Sequence, residues 1–300
     1  MQNYLGIDWG GTYIKAGLVT DNNKILKKLI YNSSGLQKKE VFIGTLFNLV
    51  KEFKDIEAIR IGAPGIIDIK KVFIYYLPNI AGWKNYPLKE KLEKKLKIPV
   101  FIDNDANVFA LAESRIGAAK DANCAIFLTL GTGLGGAVLV DRKILKSRTS
   151  AAELGHIPIS LEGKKCNCGG IGCIETFVGA KYLIFRYKKL TKKGAKEVKE
   201  IFISAQKKEK EALLVWREFG NFLGRFLAGM VNVFNPQKIV LGGGISGALK
   251  IFKPYLWRAL KKQAMWPNLV GLKIVRAKLK DAGIIGAAIL AKETINREMS

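Results

Sequence analysis

Histidine occurs once in this 300-residue chain and cysteine four times. Three of the cysteines fall within one short stretch, Cys166, Cys168 and Cys173. A disulfide-stapled scaffold spreads its cysteines along a smaller chain, so that class is excluded and the cluster reads as metal binding. No run of eighteen or more apolar residues occurs, which excludes an apolar membrane-spanning helix. Met1-Gln2-Asn3 leads directly into the strand-like Tyr4-Leu5-Gly6-Ile7 with no basic-then-apolar leader. No signal peptide is therefore visible, and a cytoplasmic location is expected. The GxxxxGK[ST] pattern is missing, so a Walker loop is excluded. Acidic residues are scarce: 25 Asp+Glu against 50 Lys+Arg leave a net charge of +25. Such a surplus raises the question of nucleic acid. The lysines, however, sit on helix-spaced faces such as the stretch 88–96, and neither a helix-turn-helix ahead of the first strand nor an aromatic RNA-binding motif is present. No nucleic-acid partner and no membrane partner are expected; the charge attracts anionic ligands such as nucleotides.

Apolar residues make up 49% of the chain, enough for two domains with cores of their own. An internal near-repeat organises it. Tyr4 to Leu26 reads strand, glycine turn (Gly10-Gly11-Thr12), strand, polar turn, strand, and Ala125 to Leu145 repeats that order around Gly131-Thr132-Gly133-Leu134-Gly135-Gly136. A later strand ends in glycines in each half: Ala58–Ile61 before Gly62-Ala63-Pro64-Gly65, and Lys238–Leu241 before Gly242-Gly243-Gly244. The second copy is longer by about sixty residues, and that insertion holds the cysteine cluster. Apolar spacing predicts helices over 39–53, 88–96, 106–115, 211–232, 250–263 and 282–293. Two similar α/β domains with an interdomain cleft are expected, 1–118 and 119–300, with the final helix (about 283–297) packing back on the first.

Gly131 to Gly136 matches GxGxxG, but the Val-rich stretch 137–140 follows where a dinucleotide fold requires a helix. The glycine turns read instead as hairpins whose N–H groups approach phosphate oxygens, with Thr12 and Thr132 adding hydroxyls. Asp8, closing the first strand, is placed to hold Mg²⁺ through water. Ile102-Asp103-Asn104-Asp105-Ala106-Asn107 joins a strand to a helix, and its acids suit an N-cap as well as a general base. His156 precedes Cys166 by ten residues, completing a Cys₃His set of the kind that closes a tetrahedral zinc site. One imidazole nitrogen would bind the metal and the other face a ligand.

These motifs resemble the ROK family of the actin-like (ribonuclease H-like) ATPase fold. Asp8-Trp9-Gly10-Gly11-Thr12 with Lys15 is similar to its first phosphate motif, Gly131 to Gly136 to its second, and Val240-Leu241-Gly242-Gly243-Gly244 to its adenosine motif. The run Asn104-Asp105-Ala106-Asn107 and the set Glu153-x-Gly155-His156, Cys166, Cys168, Cys173 and Glu175 match as well. The resemblance implies ATP with Mg²⁺ as donor and a hexose as acceptor, glucose first, giving glucose 6-phosphate. Fructose, mannose or an N-acetylhexosamine is the alternative acceptor, and a non-catalytic sugar-sensing regulator the alternative function. It implies Asp105 as the base, and Gly65, Asn79, Asn104, Glu153, His156 and Glu175 around the sugar. It also implies Asp8, Gly10, Gly11, Thr12, Lys15, Gly131, Thr132, Gly133, Gly242, Gly243 and Gly244 at the nucleotide, and a structural Zn²⁺ on His156, Cys166, Cys168 and Cys173. A homodimer or higher homo-oligomer is expected. The chain departs from the family pattern in two places: Asp103 stands where glutamate is frequent, and Lys146 to Ala152 replaces a glycine-rich stretch.

Overall fold

The computed structural model describes residues 2–10, 13–32, 38–68, 70–77, 82–147, 149, 151–192 and 194–298, with side chains to Leu290. Gly11, Thr12 and Asn79, expected in the site, lie outside the described residues. Two compact units emerge: residues 1–120 with 144–152 and 278–300, and residues 121–143 with 153–277.

The first unit opens with strands β1 (Asn3–Trp9), β2 (Tyr13–Thr20) and β3 (Ile25–Asn32), then helix α1 (Lys39–Lys51) and strand β4 (Ala58–Ala63). The short strands β5 (Ile66–Asp68), β6 (Phe73–Tyr76) and β7 (Lys84–Tyr86) form a small sheet of their own. Helix α2 (Leu88–Leu96), strand β8 (Val100–Asn104) and helix α3 (Asp105–Arg115) follow. The main sheet runs β3-β2-β1-β4-β8, antiparallel through the hairpins and parallel from β1 to β8.

The second unit repeats this plan. Its strands β9 (Ala125–Leu130), β10 (Leu134–Val140), β11 (Lys143–Ile144), β12 (Lys238–Gly242) and β13 (Lys273–Arg276) lie in the order β11-β10-β9-β12-β13. Between β11 and β12 come α4 (Glu175–Val178), α5 (Ala180–Thr191), α6 (Val198–Gln206) and α7 (Lys210–Phe234). Helix α8 (Leu249–Gln263) joins β12 to β13, and α9 (Ala282–Glu298) closes the chain. The matching strand orders give the sequence repeat its physical form. Helices α5 and α6 lie outside the stretches whose apolar spacing predicts a helix. Each buries just two side chains, Leu183 with Tyr187 and Ile201 with Ala205, at i,i+4.

The first unit's core is aromatic beneath the first glycine turn. Trp9 stacks on Phe42 at 3.7 Å, and Trp83 meets both edge-on at 4.9 and 5.1 Å. Because strand side chains alternate, burying Trp9 sends Asp8 to the opposite sheet face. That face carries α3 and α9. Helix α3 is buried all round from Ala106 to Ser114, as its Ala-Asn-Val-Phe-Ala-Leu-Ala sequence allows. It packs on α9 through Gly286, where a methyl group would overlap the Val108 carbonyl oxygen. The buried Glu113 carboxylate ties the approach to α9 to α3, accepting from the N–H groups of Ala118 at 2.6 Å, Leu279 at 2.8 Å and Lys278 at 3.2 Å. Gly286→Ala should therefore cost about 2 kcal/mol by overpacking a backbone contact. A urea or thermal melt reads this directly, and an unchanged midpoint would show that α9 is free to shift. Among the described residues, no helix is long and apolar enough to cross a membrane.

Candidate active site

Asp8 is the penultimate residue of β1, opposite Lys15 in the β1–β2 register, and their charged atoms are 3.9 Å apart. Gly10 begins the hairpin turn, its N–H donating to Tyr13 O at 2.9 Å. Burial raises the Asp8 pKa; the Asp281 carboxylate raises it further, and Lys15 opposes both. Asp281 also pairs with Lys28 at 3.0 Å. Sequence reasoning missed Asp281, whose only signal is an acid ahead of the small pair Ala282-Gly283. Gly283 is needed there, because a Cβ would stand 2.6 Å from Asp8 Cγ.

The corner between β8 and α3 holds the acids. Asn104 is the N-cap: its Oδ1 accepts from Ala106 N–H at 2.9 Å. Asp105 is the first helical residue, and its Oδ1 accepts from the same N–H at 2.8 Å. The N-cap position thus belongs to Asn104, and Asp105 shares the same N–H from the first position of the helix. Burial pushes the Asp105 carboxyl up to about 6, the Asp8 charge adds to this, and the Ala106 N–H pulls against it. A carboxylate with a pKa near 6 is a base poised for neutral pH. Asp103 is fully buried, its carboxylate bound by Asn104 N–H at 2.8 Å, Asn107 Nδ2 at 2.9 Å and Lys146 Nζ at 2.7 Å. Gly65, at φ +96°, turns the chain after β4 where a Cβ would stand 2.6 Å from Tyr76 O.

In the second unit, Gly131, Thr132 and Gly133 form the β9–β10 turn, with Gly131 N–H donating to Gly133 O at 3.0 Å and Thr132 exposed. Gly242 closes β12. Gly243 and Gly244 are exposed just beyond it; Gly243 takes φ +78°, and a side chain there would overlap Leu130 O. Glu175 starts α4 and accepts from Leu134 N–H at 2.9 Å. Glu153 precedes a 3₁₀ turn, Leu154–His156, and its carbonyl accepts from His156 N–H at 3.0 Å.

His156, Cys166, Cys168 and Cys173 bring one ligand atom each within 4.8 Å of one another. His156 Nδ1 is 3.5 Å from Cys166 Sγ, and Cys168 Sγ is 3.7 Å from Cys173 Sγ. No disulfide forms among them. Cys166 N–H donates to Gly170 O at 2.8 Å, and Gly169 N–H to Cys166 O at 3.0 Å, so a tight glycine turn aims the thiols inward. Burial, then the neighbouring thiols, pushes Cys173 up to about 12. Crowded sulfurs that resist ionisation together are what a bound dication relieves, so the donor set fits a tetrahedral metal. Cys124 stands one residue ahead of β9. It is half-buried, and its thiol donates to Phe234 O at 3.3 Å.

The ROK family profile matches residues 4–294. The glucokinase of Thermotoga maritima is 36% identical over 310 residues, covering 97% of this chain and 98% of that protein. The xylose repressor of Caldicellulosiruptor bescii is 30% identical, covering 94% of this chain and 75% of that one. A ROK family glucokinase from Streptomyces griseus, solved with glucose and AMPPNP, has a TM-score of 0.84 at 31% identity, covering 97% of this chain and 99% of that chain.

Proposed function

The chain belongs to the ROK family, and from that premise we propose that it is a hexose kinase that moves the γ-phosphoryl group of ATP to a sugar hydroxyl, with glucose as first acceptor. The observation that carries the reading is Asp105: an acid at the first position of α3, raised to about 6, beside an Asn104 that already serves as cap.

Phosphoryl transfer asks little covalent chemistry of a protein; it asks for positioning and charge stabilisation. Asp105 accepts the acceptor hydroxyl's proton as the new P–O bond forms, and its raised pKa makes it basic enough to do so near pH 7. Asn104, Gly65, Glu153, His156 and Glu175 hold the sugar's other hydroxyls, and hydroxyl stereochemistry is selected by such polar contacts. Gly10, Gly131, Thr132 and Gly133 offer turn N–H groups and a hydroxyl to phosphate oxygens. Exposed Gly243 and Gly244 admit the adenosine closely, and Lys15 supplies positive charge. Asp8 is suited to hold Mg²⁺ through water; that ion, when bound, neutralises charge on the phosphates. His156, Cys166, Cys168 and Cys173 would hold Zn²⁺. With four protein ligands no coordination position stays open, so such a metal would stiffen the loop and fix the His156 ring. Gly11, Thr12 and Asn79 keep their expected roles.

A sugar-sensing regulator is the second reading, favoured by the likeness to a xylose repressor. One assay separates the two: purified full chain with ATP and Mg²⁺ against glucose, fructose, mannose and N-acetylhexosamines, with a polyphosphate arm for the donor. Turnover is expected, fastest on glucose. Sugar binding without turnover on any acceptor establishes the sensor instead.

A further inference from the structure

The buried carboxylate of Asp103 takes no direct part in the chemistry above, yet it sits next to the residues that do. Its side chain is 1% exposed. Oδ1 accepts from Asn104 N–H at 2.8 Å and from Asn107 Nδ2 at 2.9 Å, and Oδ2 accepts from Lys146 Nζ at 2.7 Å. Asn104 in turn caps Ala106 N–H, which also binds Asp105. The bonds therefore run without a break from the Lys146 ammonium through Asp103 to the corner that carries Asp105. Backbone pairing alone holds this corner weakly. Asn104 pairs with Ala63 at the last position of the β4–β8 ladder, and β8 is the edge strand. Lys146 reaches in from 145–147, which has no regular structure but groups with the first unit.

We propose that Lys146 is a positioning residue: its ion pair with the buried Asp103 fixes the β8–α3 corner and so the aim of Asp105 at the acceptor hydroxyl. The proposal rests on the reading of Asp105 as the base. A buried carboxylate that loses its cation is unpaired and disrupts its surroundings, whereas neutralising both partners relieves that strain. This asymmetry separates aim from stability.

The test uses the full-length protein as Lys146→Met, Asp103→Asn/Lys146→Met and Lys146→Arg, with Asp105→Asn as control. Lys146→Met should melt lower and turn over about tenfold more slowly, since small misplacements of a reacting group are costly in rate. The double variant should melt close to the parent, because no bare charge is buried, yet stay about tenfold slow. Lys146→Arg should recover most of the turnover. KM for ATP should stay within about threefold throughout, as befits a loss felt after binding. If turnover in the double variant returns with its melting point, the pair is merely structural and the proposal is overturned. Hydrogen exchange gives a readout independent of activity: the Asn104 and Ala106 amides should exchange faster in both Met variants, and unchanged exchange overturns the proposal whatever the kinetics. If Asp105→Asn turns over normally, the base assignment fails separately, and the exchange data still decide whether Lys146 orders the corner.

Discussion

Asp105→Asn should lower kcat by about 10²–10⁴-fold, the usual worth of a positioned base, while hexose affinity stays near that of the parent. The same substitution should make the protein more stable at pH 7. Burial and the Asp8 charge raise Asp105 to about 6 in the fold from an ordinary value of 3.8. The native state therefore binds this proton more readily than the unfolded chain. Between pH 4 and 6, lowering the pH favours the fold through this group; above 6 the ionised carboxylate opposes it. The asparagine removes that opposition, which is worth up to about 3 kcal/mol at 1.36 kcal/mol per pH unit. Its advantage in a denaturant melt should shrink on going from pH 7 to pH 5. The parent's kcat/KM should fall about tenfold per pH unit below pH 6, as a base that must be deprotonated requires, and the variant's residual rate should lack that limb. A variant with parental turnover removes Asp105 as the base. One that is slow but no more stable leaves the catalytic role intact and shows that the buried charge is better solvated than its surroundings suggest.

The architecture was legible because it is written twice. Strand, glycine turn, strand and polar turn recur at Tyr4 and at Ala125, and the two main sheets adopt one strand order. Helices with strong apolar spacing were readable to within about two residues at most ends, and α9, whose apolar spacing stops at 293 and whose expected end is about 297, runs to Glu298. Helices α5 and α6 escaped because two buried side chains apiece leave little periodicity to detect. At the site, residue type and spacing marked Asp8, Asp105 and the Cys₃His set, since each is a scarce or charged residue beside a turn. Two features could not be read this way. Lys146 is one lysine among many, and only the fold brings it to Asp103, 43 positions away in sequence. Asp281 reaches Asp8 only because α9 lies across β1, a contact between the two ends of the chain. The choice between cap and base at Asn104 and Asp105 was equally closed to spacing, because adjacent residues of similar type compete for one N–H until side-chain directions are known.

Replacing a ligand of the proposed zinc should disable the proposed sugar side without touching Asp105. The stretch 157–174 buries little of its own: Leu161 is fully exposed and Ile171 more than half so. Its backbone is pinned by few bonds, among them Ile159 N–H to Gly172 O and Ile174 N–H to Ile157 O, both 2.9 Å. A loop so poor in apolar burial needs a cross-link to repay the entropy of ordering it, about 1–2 kcal/mol per residue. A Cys₃His-bound zinc supplies one, because binding to such a site is folding free energy. Cys173→Ser should therefore lose about one zinc per chain, lower the melting temperature by at least about 5 °C, and weaken hexose binding about 10–100-fold through a freed His156 ring. ATP binding should weaken less than hexose binding, because only the second glycine turn is tied to the end of that loop, through Glu175 accepting from Leu134 N–H at 2.9 Å. Acidification should release the metal, since protons compete for three thiolates and an imidazole. Elemental analysis and thiol alkylation read the site without any assay of turnover: Cys166 and Cys168 should become reactive when Cys173 is replaced. A metal-free chain that binds and phosphorylates sugar at the parental rate would show that the cluster is packing alone, held by its glycine turn.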